Sequence, residues 1–432
     1  YTVAQARKVL AAIRVRRELT ETKFVVYQDN PGDGQQAPIF KRFYWWENEC
    51  TQRMVKKFGI TLEKRSYRDL GLRAKAISDA EAESARKGWD LPVDGVLPRS
   101  LNSSTKLYLA VKADLAGERN VRAIGINCLN ESHFSNTTPC LAWNRLFMES
   151  GIIWGCEGDS VSMLTKLILH RSLGAPILMT NLYPFALGDA ALKHERISEF
   201  PAVKGDPRNY VLVAHCGYMG VIPQSFASEW KLKPKVLSIV DDNANAIDAR
   251  LPTGDITLAK IHSNFDRMTV AEGELEGYAQ YPGSDCRNGG IVRVNDGHRL
   301  MTRLSSHHYL LMTGHQRADL ETIAPIFALD LDILTAELTE GPLASGSPVA
   351  VTGVALDAET ERVTFTLERT LLPGEAHLRV RFNGQLNDKL RGFYRSTFVD
   401  DAGVTRTIAT TQMQSTDCRR AFPCFDEPDF KA

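Results

Sequence analysis

Residues 154–160 read WGCEGDS and place two carboxylates, Glu157 and Asp159, around a glycine directly after the apolar run GIIWGC. Carboxylates at the end of a buried strand have two ordinary uses. Asp159 stands where the N-cap of the following apolar segment VSMLTKLILHRSL belongs, and Glu157 suits a solvated turn. The chemical use is different: an oxygen donor here can hold a hard divalent cation and exchange protons with a bound substrate. The histidines such a site would recruit lie far away in sequence. SSHHYLLMTGHQRAD carries His307, His308 and His315, and VAHCG carries His215 at the end of another apolar run. A histidine in a strand is more often a satisfied core residue than a ligand, so both uses stay open at this point. The zinc-peptidase signature HExxH does not occur; LKHERIS supplies His194 and Glu195 without the second histidine.

The elements that must position these residues follow from the hydrophobic periods. YTVAQARKVLAAIRVRRELT has helical spacing, TKFVVYQ reads as a short buried strand, and the loop DNPGDGQQAP follows the strand's carboxyl end, where open α/β sheets place ligands. FYWWENECTQRMVKKFG and ITLEKRSY complete a βαβ opening. The alternation runs on through KLYLAVKADLA, VRAIGINCL, LAWNRLFME, GIIWGC, VSMLTKLILHRSL and PILMTNL, which predicts a parallel, helix-covered, Rossmann-like sheet over residues 1–182. From about residue 200 short alternating runs (YVLVAHC, KVLSIV, DITLAKIH, GIVRVND, HHYLLMT) predict a β-rich unit over residues 183–328. The alternating strands of residues 329–432 predict a partial antiparallel β-sandwich. TEGPLASGSP ahead of them has the composition of a linker or of a hairpin turn.

At 432 residues the chain is long enough for two to four domains. Its 52 basic and 52 acidic residues balance, which argues against wholesale binding to nucleic acid or to a membrane surface. No apolar stretch is long enough to span a bilayer and no secretory signal pattern opens the chain. A cytoplasmic protein is expected. The eight scattered cysteines, without CxxC, read as reduced and mostly structural thiols. The chain begins with Tyr and stops at FKA, so both ends read as cut.

GIIWGCEGDSVSMLTKLILHRSLGAPILMTNLY together with HHYLLMTGHQRADLETIA resembles the L-fucose isomerase and L-arabinose isomerase superfamily, loosely over residues 1–327. The resemblance implies a metal-dependent aldose–ketose isomerase, a homo-oligomer acting on a small-molecule sugar with Mn²⁺ or another divalent cation, zinc not being expected. Glu157 falls on the family's glutamate and His308 on its histidine ligand. His215 falls on an extra histidine of the arabinose-type members, and His215 and His307 are expected to bind substrate. The family's second acidic position falls at Asn181, which can give an oxygen to the ion but cannot accept a proton. Glu157, Asn181 and His308 are thus the expected metal ligands, with Glu157 and Asn181 in the catalytic positions. A missing general base costs about 10²- to 10⁴-fold in rate, so activity is expected to be impaired or lost.

FNGQLNDKLRGFYRSTF followed by TTQMQSTDCRRAFPCFDEPDFKA resembles a different family, the N-terminal β domain of the puromycin-sensitive type of zinc aminopeptidases, over residues 330–432. That resemblance implies that Gln412 and Gln414 line the pocket for a peptide's first residue. The two families do not ordinarily share a polypeptide, so a fusion, a generated sequence or a mis-assembled reading frame is expected. The alternative function is a fragment of a zinc aminopeptidase joined to a non-catalytic carbohydrate-binding or structural domain.

Overall fold

The first helix, α1 (Val3–Glu18), delivers the chain to strand β1 (Lys23–Tyr27), whose KFVVY is buried along nearly its whole length. Burial on both faces marks a strand in the middle of a parallel sheet. The computed structural model describes residues 3–29, 43–128, 132–184, 202–214, 227–234, 243–280, 288–295, 297–333, 337–340, 346–357, 362–380, 392–401 and 403–412. It divides into two units, Tyr1–Leu334 and Thr335–Ala432.

In the first unit β1 lies between β2 (Thr61–Arg65) and β3 (Val121–Ile126), and β4 (Ile153–Cys156) extends β3, all parallel in the order β2-β1-β3-β4. Helices α2 (Asn48–Phe58), α3 (Tyr67–Ala76), α4 (Asp79–Arg86), α5 (Pro98–Asp114), α6 (Cys140–Ser150) and α7 (Ser160–Leu173) intervene. KLYLAVKADLA, expected to continue the strand–helix rhythm, lies in α5, where Leu107, Tyr108, Ala110 and Val111 are buried at helical spacing.

PILMTNL was expected to close this parallel sheet and does not. It forms β5 (Ile177–Pro184) in a second sheet with β6 (Tyr210–Ala214), β9 (Gly254–Ile261), β10 (Arg267–Gln280), β11 (Asn288–Val294) and β12 (His308–Thr313). The order β11-β6-β5-β12-β9-β10 returns through a β10–β11 pairing, so six antiparallel strands close a ring, and β13 (Asp330–Ile333) adds parallel to β10. The helices α8 (Gly297–Thr302) and α9 (Arg317–Ile323) flank β12 in sequence, and β7 (Glu229–Pro234) pairs with β8 (Asn245–Arg250). The boundary expected at residue 182 therefore falls inside β5.

The reason is packing. Leu178 and Leu182 of β5, Ile256 and Leu258 of β9, and Tyr309 and Leu311 of β12 belong to one apolar core. The alternate residues Ile177, Met179, Ala259, Ile261, Leu310 and Met312 belong to the other, which the parallel sheet and α7 share. Strands buried on both faces read as unbroken apolar runs, which is also the signature of a parallel strand.

The second unit contains an antiparallel sheet of β16 (Arg362–Leu367), β15 (Ser347–Asp357), β14 (Glu337–Glu340) and β17 (Ala376–Arg379), in that order, and the pair β18 (Gly392–Val399) and β19 (Thr405–Gln412). β14 and β15 pair antiparallel with Thr339 opposite Pro348, so the two ends of TEGPLASGSP lie in paired neighbouring strands.

Lys166 of α7 is fully buried, donates to the Trp154 carbonyl at 3.1 Å and lies 3.6 Å from the Trp154 ring centre. Burial pushes its pKa from 10.5 down to about 7. Between those values the unfolded chain binds a proton that the folded chain has lost, so stability must rise with pH. The expected slope is on the order of 1 kcal/mol per pH unit between pH 7 and 10. Urea titrations across that range should show Lys166→Met flattening the slope and raising stability at pH 7; equal slopes in both proteins would refute the assignment.

Candidate metal centre

The centre starts from a backbone conformation. After β4, Glu157 and Gly158 both take left-handed dihedrals, with φ of 55° and 65°. Glycine is at home there, glutamate is not. Gly158 also leaves no room for a side chain, since a Cβ on it would come within 3.0 Å of Trp46 Nε1. The tight turn releases the chain into α7 with Asp159 as its N-cap, accepting from the Ser162 backbone N–H at 2.8 Å and from Ser162 Oγ at 2.7 Å. The capping use of Asp159 is therefore real.

Asp159 does more than cap. It is fully buried, and its Oδ2 also accepts from Lys260 Nζ of β9 at 3.0 Å and from His308 Nδ1 at 2.9 Å. Burial by itself would raise its pKa; the Lys260 charge, followed by the His308 hydrogen bond, outweighs this and holds the carboxyl well below the usual range. Lys260 also donates to Ser162 Oγ.

With Nδ1 fixed, His308 presents Nε2 to Glu157, whose Oε2 is 3.6 Å away. His307 Nε2 lies 3.6 Å from the same oxygen. One donor atom from each of Glu157, His307 and His308 falls within 4.8 Å of the others. Glu157 Oε2 is buried and accepts no hydrogen bond. His308 is completely buried whereas the His307 side chain is 46% exposed, so the cluster opens to solvent on the His307 side. Trp45 lies beneath it, donating Nε1 to the Glu157 carbonyl at 3.2 Å, with its ring 5.6 Å from His307 and 5.3 Å from His308.

Of the residues singled out in the sequence, Glu157 and His308 meet as expected. His307, expected to touch substrate, joins them as a third donor. Asn181 lies directly opposite His308 in the β5–β12 register, with Oδ1 buried and unbonded and Nδ2 donating to Tyr183 Oη at 3.1 Å. His215 and Gln414 lie outside the described residues. Gln412 is exposed at the end of β19. Sequence reasoning missed Lys260 and Trp45. A lysine inside the apolar alternation DITLAKI was the available signal for the first; nothing marked Trp45 apart from its neighbours in FYWWE.

Two imidazole nitrogens and one carboxylate oxygen, with His308 oriented from behind by Asp159, make a donor set of the kind that holds zinc. Among the described residues no helix is long and apolar enough to cross a membrane.

Residues 326–432 match the Peptidase M1 N-terminal domain. Aminopeptidase 2 of Candida albicans is 40% identical over 120 residues, 28% of this chain and 13% of that protein. Aminopeptidase M1 of Arabidopsis thaliana is 38% identical over 125 residues, 28% of this chain and 14% of that protein. The puromycin-sensitive aminopeptidase of Caenorhabditis elegans is 47% identical over 76 residues, 18% of this chain and 8% of that protein. The chain thus spans a small fraction of the length of these relatives. The family and the relatives are peptidases, which overturns the expectation of an aldose–ketose isomerase of carbohydrate metabolism, and with it manganese as the cofactor and the exclusion of zinc. That expectation rested on an acidic turn and a histidine pair, residues that a helix cap and a buried polar network also require. What stands is that the C-terminal part of the chain is similar to the N-terminal domain of M1 peptidases.

Proposed function

We propose that the second unit acts as the N-terminal β domain of an M1-type aminopeptidase, contributing recognition of a peptide's first residue rather than the hydrolytic step. The observation that carries this reading is the match over residues 326–432. The exposed Gln412 amide at the end of β19 offers both a donor and an acceptor to a peptide backbone or amine. No HExxH lies in these 432 residues, so the reading assigns them binding and not zinc-dependent hydrolysis. A tripeptide with a free amino terminus should bind, its N-acetylated counterpart should bind more weakly, and Gln412→Ala should weaken the free peptide about 3- to 10-fold, as expected for one hydrogen bond. Calorimetry or chemical-shift titration decides the matter. Equal binding of both peptides, or no effect of Gln412→Ala, would remove the reading.

A second reading belongs to the first unit and rests on the three converging donors there. It assigns Glu157, His307 and His308 to a zinc ion, with Asp159 fixing the ligating tautomer of His308. Zinc should bind at one ion per chain and Glu157→Gln should weaken it at least tenfold. Asp159→Asn, which leaves all three donors in place, should weaken it by roughly 10- to 100-fold through loss of orientation. Zinc titration against a chromogenic chelator measures all three proteins, and an unchanged affinity in Glu157→Gln would exclude the cluster as the site.

A further inference from the structure

One pair of nucleophilic groups beside the centre has no part in either reading. Cys156 ends β4, one residue before Glu157, and Cys128 follows the end of β3 on the neighbouring strand, where Ile126 is the register partner of Cys156. Their sulfurs are 3.2 Å apart and both residues are buried, at 1% and 4% exposure. A disulfide needs the sulfurs at about 2.05 Å, so closing the bond takes a shift of roughly 1 Å, within reach of side-chain rotation at two strand ends. The surroundings are not those of inert core thiols. Gln28, which follows β1, and Asn127, which precedes Cys128, are buried at the same sheet edge with neither amide oxygen nor amide nitrogen hydrogen-bonded. Buried amides without partners call for an explanation, and a small polar visitor supplies one.

We propose that Cys128 and Cys156 form a reversible dithiol–disulfide site closed by peroxide-class oxidants, and that closing it weakens ion binding at Glu157. The second half rests on the metal reading above. The chemistry balances. One sulfur, as thiolate, attacks a peroxide oxygen; the O–O bond breaks, the departing hydroxide takes a proton and leaves as water, and a sulfenic acid remains. The second sulfur displaces the sulfenic hydroxyl, which departs as a second water, and the S–S bond forms. The two sulfurs together lose two electrons and hydrogen peroxide gains them. A reducing dithiol returns both thiols by exchange. The coupling is geometric: Glu157 is held in a left-handed conformation immediately after Cys156, so tethering Cys156 sideways to Cys128 moves the backbone that aims the Glu157 carboxylate.

The test is made on the full chain, folded and reduced, exposed to a small excess of hydrogen peroxide, then alkylated and digested without reduction. The expected result is a linked Cys128–Cys156 peptide lighter by two hydrogens, abolished by dithiothreitol and absent from Cys128→Ser. Oxidation of the cysteines singly to sulfinic acid, or linkage only after denaturant is added, overturns the proposal. Zinc titration of the two forms tests the coupling: affinity roughly tenfold weaker in the oxidised form is expected, and equal affinity overturns that half. Should the reduced protein bind no zinc at all, the metal reading and the coupling fail together, while the linked peptide still decides the disulfide. Circular dichroism of Cys128→Ser against the wild type separates loss of the bond from loss of the fold.

Discussion

A single buried carboxylate ties the first unit together. Asp159 has no solvent exposure, and an ionised group there is costly unless its charge and lone pairs are met on the spot. They are met from three directions: the first turn of α7 through Ser162, the barrel strand β9 through Lys260, and the start of β12 through His308. Lys260 is as deeply buried as Asp159, and its ammonium is tolerable only against that carboxylate. The pair therefore specifies how the helix layer meets the barrel as much as it stabilises the meeting. The geometry of the donor cluster is a by-product, because the hydrogen bond that satisfies Asp159 also points the other His308 nitrogen at Glu157.

Closing the barrel makes this precision possible. Six strands without a free edge leave little freedom of register, and His308 is paired opposite Asn181 at the start of β12 where the ring meets the helix layer. Slipping β12 by one residue would exchange the faces of Tyr309 and Leu310, one filling the barrel and the other the shared core. The same slip would carry His308 away from Asp159. Core packing and site geometry thus select the same register.

This double use explains what could be read from the sequence. Strands β1 to β4 and the barrel strands β6, β9, β11 and β12 follow from their periodicity, and the Asp159 cap follows from its place before an apolar helix. The sheet to which β5 belongs does not follow, because a strand sandwiched between two cores carries no alternation to distinguish it. Lys260 was illegible for a related reason: a lysine in a strand is ordinarily assigned to solvent, and only its partner across 101 residues of sequence makes its burial possible. His307 was legible as a candidate but not in its role. Adjacent residues on a strand face opposite ways, and His307 reaches Glu157 because it precedes β12 rather than lying within it.

The second unit was legible in another way, and the contrast is instructive. Its resemblance is carried by one contiguous stretch, so each matching residue supports its neighbours without any assumption about the fold. The reading of the first unit joined positions 157, 181, 215 and 308 and required them to converge. Glu157 and His308 do converge, yet the reaction inferred from them did not survive comparison with known proteins. The two outcomes are compatible. Ligand atoms, their distances and their burial decide which ion a pocket can hold. The reaction is decided by what else the pocket admits and by which groups can move a proton, and many chemistries share one ligand set on one fold. A donor cluster recovered from sequence therefore constrains the ion far more tightly than the reaction, and at this centre the aromatic floor of Trp45 and the exposed edge of His307 are the features that would have to select a substrate.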